Sequence, residues 1–305
     1  MNTGVEAVET AIKLTRKWAY KVKGVPENEA KIVFVEGNFH GRTMGIISAS
    51  TDPSSRRGFG PYMPGYVIVP YNDLPALEKA LADPTVAGFV VEPIQGEAGV
   101  YVPADDYLPK AFELCQQNNV LFIADEVQTG IARTGKLLCC DHFGIKPDVL
   151  ILGKALSGGV LPVSVVLGRD EVMLTIKPGE HGSTFGGNPL ACAVAMEALK
   201  VVADENLAEN AEYLGKIFRR RMSDLQAKRP DLITLVRGRG LLNALVINDS
   251  EDSETAWNIC LAMAEAGLLA KPTHGNIIRF APPLVMTEEQ LDECCDIIGR
   301  VFMGF

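Results

Sequence analysis

Short apolar runs rich in β-branched residues alternate with stretches of helical period along the first two thirds of the chain. Residues 5–20 (VEAVETAIKLTRKWAY) place Val8, Ala11, Ile12 and Ala19 near one face, the pattern of an amphipathic helix. Strands are expected at 31–36 (KIVFVE), 66–70 (YVIVP), 87–93 (AGFVVEP), 119–126 (NVLFIADE), 148–154 (DVLILGK) and 161–168 (LPVSVVLG). Helices fall between them at 73–82, with Asp73 as N-cap, and at 106–117. The strands up to 148–154 are apolar on both faces, which suits a buried parallel sheet covered by helices. From about 189 the texture changes. A helix opens at Asn188-Pro189, with Asn as cap and Pro in the first turn, and two long helical stretches run to about 228. Short strands at 242–248, 268–272 and 277–283 then mix with helices at 253–266 and 287–303. The pattern predicts an α/β protein, with a large, mostly parallel-sheet domain over 1–205 and a smaller C-terminal α+β domain over 206–305. No repeat or low-complexity segment interrupts it.

Composition narrows the function. The 305 residues are 47% hydrophobic and 22% charged, and 29 basic against 38 acidic side chains give a net charge of −9. Nucleic-acid and anionic-membrane binders need a cationic surface, so neither is expected. No apolar run approaches the roughly 20 residues of a membrane span. The start, MNTGVEAVET, reads as neither a signal peptide nor an Arg-rich transit sequence. Seven cysteines include the vicinal pairs Cys139-Cys140 and Cys294-Cys295 but no CxxC, the usage of a reducing compartment rather than of a disulfide or zinc scaffold. The four histidines are scattered and suggest no metal; His181 reads as structural.

Ligands of open α/β sheets bind at the carboxyl ends of the strands. Three apolar runs here end in Glu92, Asp125 and Lys154. A carboxylate behind a buried strand is costly without a cationic or donor partner. Pyridoxal phosphate calls for this combination: a lysine amine for its Schiff base, a carboxylate to hold its ring nitrogen protonated, and a helix N-terminus for its phosphate. Asn2-Thr3-Gly4-Val5 stands directly before the first helix, and the loop GEHGSTFGGNP (179–189) adds Ser183, Thr184 and exposed glycine amides. Two other motifs fail on context. GRGLLN (238–243) lacks the third glycine of a dinucleotide fingerprint and is followed by a strand-like run. ARTGK (132–136) lacks the spacing and the Ser/Thr of a P-loop.

Together, NTGVEAVE, GNFHGRT, VEPIQGEAGV, LFIADEVQTGIARTGK, ILGKALSGG, GEHGSTFGGNPL and LLAKPTHGNIIRFAPPL resemble a fold-type I, class III pyridoxal-phosphate aminotransferase, from residue 2 to about 283. KPTHGNIIRFAPPL points to the ornithine branch of that class over the acetylornithine or 4-aminobutyrate branches. The resemblance implies pyridoxal 5′-phosphate as cofactor and Lys154 as the Schiff-base lysine that also moves the substrate proton. It implies Asp125 on the pyridine nitrogen, Gln128 on the 3-hydroxyl and Phe39 stacked on the ring. Gly4 and Val5 would bind phosphate by main-chain N–H. Thr184 would reach the phosphate of a neighbouring subunit, so a homodimer or higher homo-oligomer is implied. Arg279 resembles the carboxylate-binding arginine. Glu97 resembles the residue that pairs with this arginine when ornithine is bound and releases it for glutamate. Arg42 would take the distal carboxylate of 2-oxoglutarate, and Glu92 would orient its neighbours.

The implied partners are a small amino acid and a 2-oxo acid, in proline and arginine metabolism, and the implied compartment is the mitochondrial matrix or the cytoplasm. The resemblance would also set NTGVEA well inside a chain, behind a region that carries part of the small domain and of the ornithine pocket. Lacking that region, the strands at 242–281 would have exposed edges. Two alternatives stand beside an ornithine δ-aminotransferase: another ω-amino acid aminotransferase, and a non-catalytic form that pairs with longer subunits.

Overall fold

The computed structural model describes every residue, Met1–Phe305, and divides into two units. One comprises 1–93, 103–131 and 138–201; the other comprises 94–102, 132–137 and 202–305. Two loops within 1–205 therefore go with the C-terminal residues, unlike a single cut after 205.

In the first unit the apolar runs become β1 (Lys31–Val35), β2 (Tyr66–Val69), β3 (Val86–Val91), β4 (Leu121–Asp125), β5 (Val149–Leu152) and β6 (Val165–Gly168), in the order β2-β1-β3-β4-β5-β6. All neighbours are parallel except β5 and β6. Every residue of β3 and β4 is buried, because helices cover both faces. The alternation of the strands separates two cores. Ile32, Phe34, Val90 and Ile123 meet helix α1 (Gly4–Trp18) through Val8, Ala11, Ile12 and Trp18. Val33, Val35, Phe89 and Phe122 meet α2 (Leu74–Leu81) and α3 (Tyr107–Gln117) through Leu77, Leu81, Leu108 and Cys115. Each fully buried side chain of this size contributes about 1.5–3 kcal/mol. Asp73 caps α2 as expected, its Oδ1 accepting from Ala76 N at 2.9 Å. Gly88 lets α1 lie close to β3, since a Cβ there would stand 2.7 Å from Thr15 Cγ2. The strand expected at 161–168 is present over its second half, as β6. β6 is an antiparallel edge strand, and Leu167 on it is half exposed. Helix α4 (Pro189–Asp204) opens as read, Asn188 Oδ1 accepting from Ala191 N at 2.9 Å.

The second unit holds α5 (Leu207–Lys228), β7 (Ile233–Arg239), β8 (Leu242–Ile247), α6 (Thr255–Glu265), β9 (Lys271–Thr273), β10 (Ile277–Phe280) and α7 (Glu288–Gly304). Its sheet is antiparallel, in the order β7-β8-β10-β9. Leu214, Phe218, Ile259, Met263, Leu291 and Phe302 of the helices form one core with Leu245, Ile247 and Ile278. β7 escaped the sequence pattern because only its first residue is buried and it ends in Arg237-Gly238-Arg239, an edge strand without alternation. The strand expected at 268–272 starts three residues later, at Lys271.

Candidate active site

Four strands of the first unit end at one cleft of about 150 Å³. β1 leads into Phe39, His40 and Gly41; β3 into Glu92; β4 ends on Asp125 and leads into Val127 and Gln128; β5 leads through Gly153 to Lys154. Gly4 and Val5, the first residues of α1, complete the wall. Asn38 fixes the turn after β1, its Nδ2 donating to Val35 O at 2.6 Å and Ala49 O at 2.9 Å. Lys154 opens a one-turn 3₁₀ helix with a left-handed φ of 41°, a conformation that a non-glycine residue keeps only where its surroundings hold it. Gly41, at φ 129°, cannot be replaced without cost, because a Cβ there would lie 2.3 Å from Val5 Cγ2. Gly4 and Val5 are first-turn residues whose N–H groups have no intrahelical acceptor. The Glu6 carboxylate takes the amides of Thr3 and Asn2 instead, at 2.7 and 3.0 Å.

The cleft concentrates buried charge. Asp125 Oδ2 lies 2.6 Å from His40 Nδ1, both side chains almost wholly buried, and Asp125 Oδ1 accepts from Val127 N at 3.1 Å. The donor that a carboxylate behind β4 requires is therefore His40, a residue that sequence reasoning passed over as one of four scattered histidines. Its signal was its place in NFHGRT, between the assigned Phe39 and Arg42. Burial opposes charge on His40, but the Asp125 hydrogen bond and the charges of Asp125 and Glu92 hold its pKa above the ordinary value. Glu92 accepts from Phe39 N at 3.0 Å. Burial pushes its pKa up to about 8; Asp125 pushes the same way, while His40, the Phe39 amide and Lys154 pull it down.

Glu126, directly after β4, does different work. It is buried and accepts from Cys139 N, Cys140 N and Thr129 Oγ1 at 2.6, 2.8 and 3.0 Å, tying the end of β4 to the turn at 139–140. ADEVQTG thus carries two carboxylates with separate partners, and only Asp125 lines the cleft.

Two expected site residues of this unit lie outside the cleft lining. Arg42 is exposed, 3.6 Å from Asp52, with its guanidinium 5.1 Å from the centre of the Phe39 ring. Thr184 is exposed on the loop 179–188. His181 ties that loop to α1, Nε2 standing 2.9 Å from Thr10 Oγ1 and Nδ1 3.0 Å from Lys13 Nζ.

In the second unit Glu97 and Arg279 meet directly. Arg279, on β10, donates from Nη1 to Glu97 Oε2 at 2.9 Å and to Gly96 O at 3.1 Å. The pair is partly exposed, 22% for Arg279 and 35% for Glu97. The loop that carries Glu97 is held by a Gln95–Tyr101 bridge and by Arg237, which donates to Gly99 O. Arg133 of ARTGK is half-buried and donates to Leu241 O and Pro282 O, a structural use of that motif.

The sequence profile of the aminotransferase class-III family matches residues 1–302. The chain belongs to the class III aminotransferases. It is 59% identical over 305 residues to the mitochondrial ornithine aminotransferase of Rattus norvegicus, covering 100% of this chain and 69% of that one. The crystal structure of the ornithine aminotransferase from Toxoplasma gondii superposes with a TM-score of 0.97 at 50% identity, over 100% of this chain and 72% of that one. An acetylornithine aminotransferase from Elizabethkingia anophelis superposes with a TM-score of 0.90 at 59% identity, over 100% and 73%. The fold is accordingly the α/β fold type I of the pyridoxal-phosphate enzymes, a mostly parallel sheet with a smaller antiparallel one. Class III aminotransferases carry pyridoxal 5′-phosphate. The cleft fits that group chemically. It offers a lysine amine, a buried carboxylate already held by a donor, a ring face on Phe39, the Gln128 amide and two helix N-terminal amides. No helix is long and apolar enough to cross a membrane.

Proposed function

We propose that this chain is an ornithine δ-aminotransferase. It moves the δ-amino group of L-ornithine to 2-oxoglutarate, giving glutamate 5-semialdehyde and L-glutamate in two half-reactions. When bound, pyridoxal phosphate supplies an electron sink for the carbon that loses its proton. Lys154 holds the cofactor and moves the proton at the substrate carbon. Asp125 would sit at the ring nitrogen and keep its proton in place. Gln128 would contact the 3-hydroxyl, Phe39 would cover one ring face, and the amides of Gly4 and Val5 would bind the phosphate, aided by the helix dipole. Residues 206–305 serve as the small domain.

The observation that carries the choice of substrate is the Arg279–Glu97 pair. An enzyme that takes both ornithine and glutamate must hide its carboxylate-binding arginine from one and show it to the other. A direct pair at 2.9 Å that is partly exposed does this, because exposed ion pairs are worth only about 0–1 kcal/mol and exchange readily. Glu97 masks Arg279 for ornithine, and the α-carboxylate of glutamate displaces it. Arg42 takes the distal carboxylate of 2-oxoglutarate. The kinship with an acetylornithine aminotransferase at 59% identity favours a second reading, acetylornithine as amino donor. Turnover with 2-oxoglutarate and ornithine, acetylornithine or 4-aminobutyrate separates them. The proposal expects kcat/KM for ornithine to lead; preference for either other donor overturns it.

A second copy of this chain completes the unit in this reading, with Thr184 reaching the neighbour's phosphate. The surface near Thr184 suits that role. Phe185, Leu190 and Met196 are 72%, 66% and 72% exposed, as is Val160 at 75%, next to the Gly158 turn that abuts Ala198 of α4. Sedimentation of the loaded protein tests it, and a monomer contradicts it.

A further inference from the structure

The backbone of the loop 94–102, which carries Glu97, is fastened from several elements at once. Gln95 and Tyr101 exchange two backbone hydrogen bonds, at 3.1 and 3.0 Å, and Thr273 Oγ1 on β9 donates to Glu97 O at 2.9 Å. Within the loop Val100 is wholly buried at a left-handed φ of 58°, which a β-branched residue keeps only where its surroundings hold it. The strongest fastening comes from Arg237, half-buried on β7. Its Nε and Nη2 donate together to Gly99 O at 3.0 and 2.8 Å, and its guanidinium lies 3.8 Å from the centre of the Tyr101 ring. We propose that Arg237 is the positioning residue for the choice between ornithine and glutamate. By clamping Gly99 and Tyr101 it keeps the backbone of Glu97 in place, so that Arg279 is masked and unmasked by rotation of the Glu97 side chain, without movement of the loop.

The two partners of the pair depend on the loop unequally. Arg279 stands on β10, which is hydrogen-bonded to β8 on one side and β9 on the other, so the sheet fixes its backbone. Glu97 has no such support and takes its place from the loop. A partly exposed ion pair is weak, and it forms only if little ordering is needed to bring its ends together. Holding the chain of Glu97 removes most of that cost. Arg279 Nη1 also donates to Gly96 O, so the arginine keeps one anchor when the acid swings away, provided that the loop stays where it is. A loosened loop therefore weakens the mask more than it disturbs the arginine. Arginine suits the clamp because its planar fork meets one oxygen with two N–H groups while its face stacks on a ring; a lysine ammonium offers a single point of contact.

The inference rests on the masking role proposed for Glu97. Arg237→Met keeps the length of the side chain and removes the fork. In the loaded enzyme it is expected to lower kcat/KM for ornithine by about 3- to 10-fold, part of what one charge-assisted hydrogen bond is worth, with kcat/KM for glutamate within about twofold. Arg237→Lys should shift the ornithine-to-glutamate ratio less, and Thr273→Val should shift it in the same direction. Because Arg237 acts through Glu97, Arg237→Met should leave the ratio unchanged within about twofold in a Glu97→Gln background. Amide hydrogen exchange over residues 94–102 should be faster in Arg237→Met than in wild type, with or without cofactor. Equal losses with both substrates, the same ratio shift in the Glu97→Gln background, or unchanged exchange in the loop overturns the proposal. Faster exchange together with a Glu97→Gln enzyme whose ratio equals that of wild type overturns the masking role of Glu97 instead.

Discussion

The two units place charge in opposite ways. In the first, Asp125, His40 and Glu92 are buried at strand ends, each with fixed partners from separate elements. In the second, Arg279 and Glu97 meet as a partly exposed pair on a strand and a loop. Low dielectric and fixed partners make the first arrangement rigid and raise the pKa values of His40 and Glu92. Solvent makes the second exchangeable. A cofactor that stays through every cycle needs the former, and two substrates of different charge at one arginine need the latter.

The sharpest test of the fixed half is Lys154→Ala. With the amine removed, turnover should fall by more than about 10⁴-fold, because both the attachment and the proton transfer proposed for it would be lost. Retained turnover would remove the chemistry from this cleft. Next in size is Glu126→Ala, which strands the buried amides of Cys139 and Cys140. It should cost about 2–5 kcal/mol in urea unfolding, at about 1–3 kcal/mol for each unsatisfied group. Glu92→Gln should instead change how stability depends on pH. Glu92 titrates near 8 when folded, against an ordinary 4.5, so between these values the unfolded chain holds fewer protons and stability falls as pH rises. His40 adds a slope of the same sign: its raised pKa contributes stability that is complete below about 6.5 and is lost as pH rises through the folded value. Unfolding curves from pH 5 to pH 9 should therefore be flatter in the variant, by a few kcal/mol at about 1.4 kcal/mol per pKa step. The smallest effect belongs to Asp52→Asn. It removes the charge facing Arg42 yet keeps a capping oxygen for Ser54 N, so stability should move by less than about 0.5 kcal/mol. A larger change would mean that exposed pairs here are not as loose as the comparison requires.

Much of the fold was legible because burial on both faces leaves continuous apolar runs. β3 and β4 stand within two residues of the stretches read from the sequence, and Asp73 and Asn188 cap their helices as read. The edges were not legible. β6 and β7 are only partly covered, so the orientation of β6 and the existence of β7 left little hydrophobic signature. In the cleft, Lys154, Asp125 and Glu92 announced themselves as polar residues ending apolar strands. His40 and Glu126 did not, because what matters in them is which acceptor or donor they meet across 85 and 13 residues of chain. The pairing of Glu97 with Arg279, 182 residues apart, was expected only through family resemblance, and the geometry places the two side chains in contact.

The central contrast, fixed charge for the cofactor and exchangeable charge for the substrates, is tested most directly by single-turnover kinetics of the loaded protein. Ornithine and glutamate should each be reacted with wild type and with Glu97→Gln, following the cofactor's visible absorption. The account predicts opposite movements: the ornithine rate falls and the glutamate rate rises once Arg279 is permanently unmasked. Equal losses with both substrates, or no change with either, would contradict it.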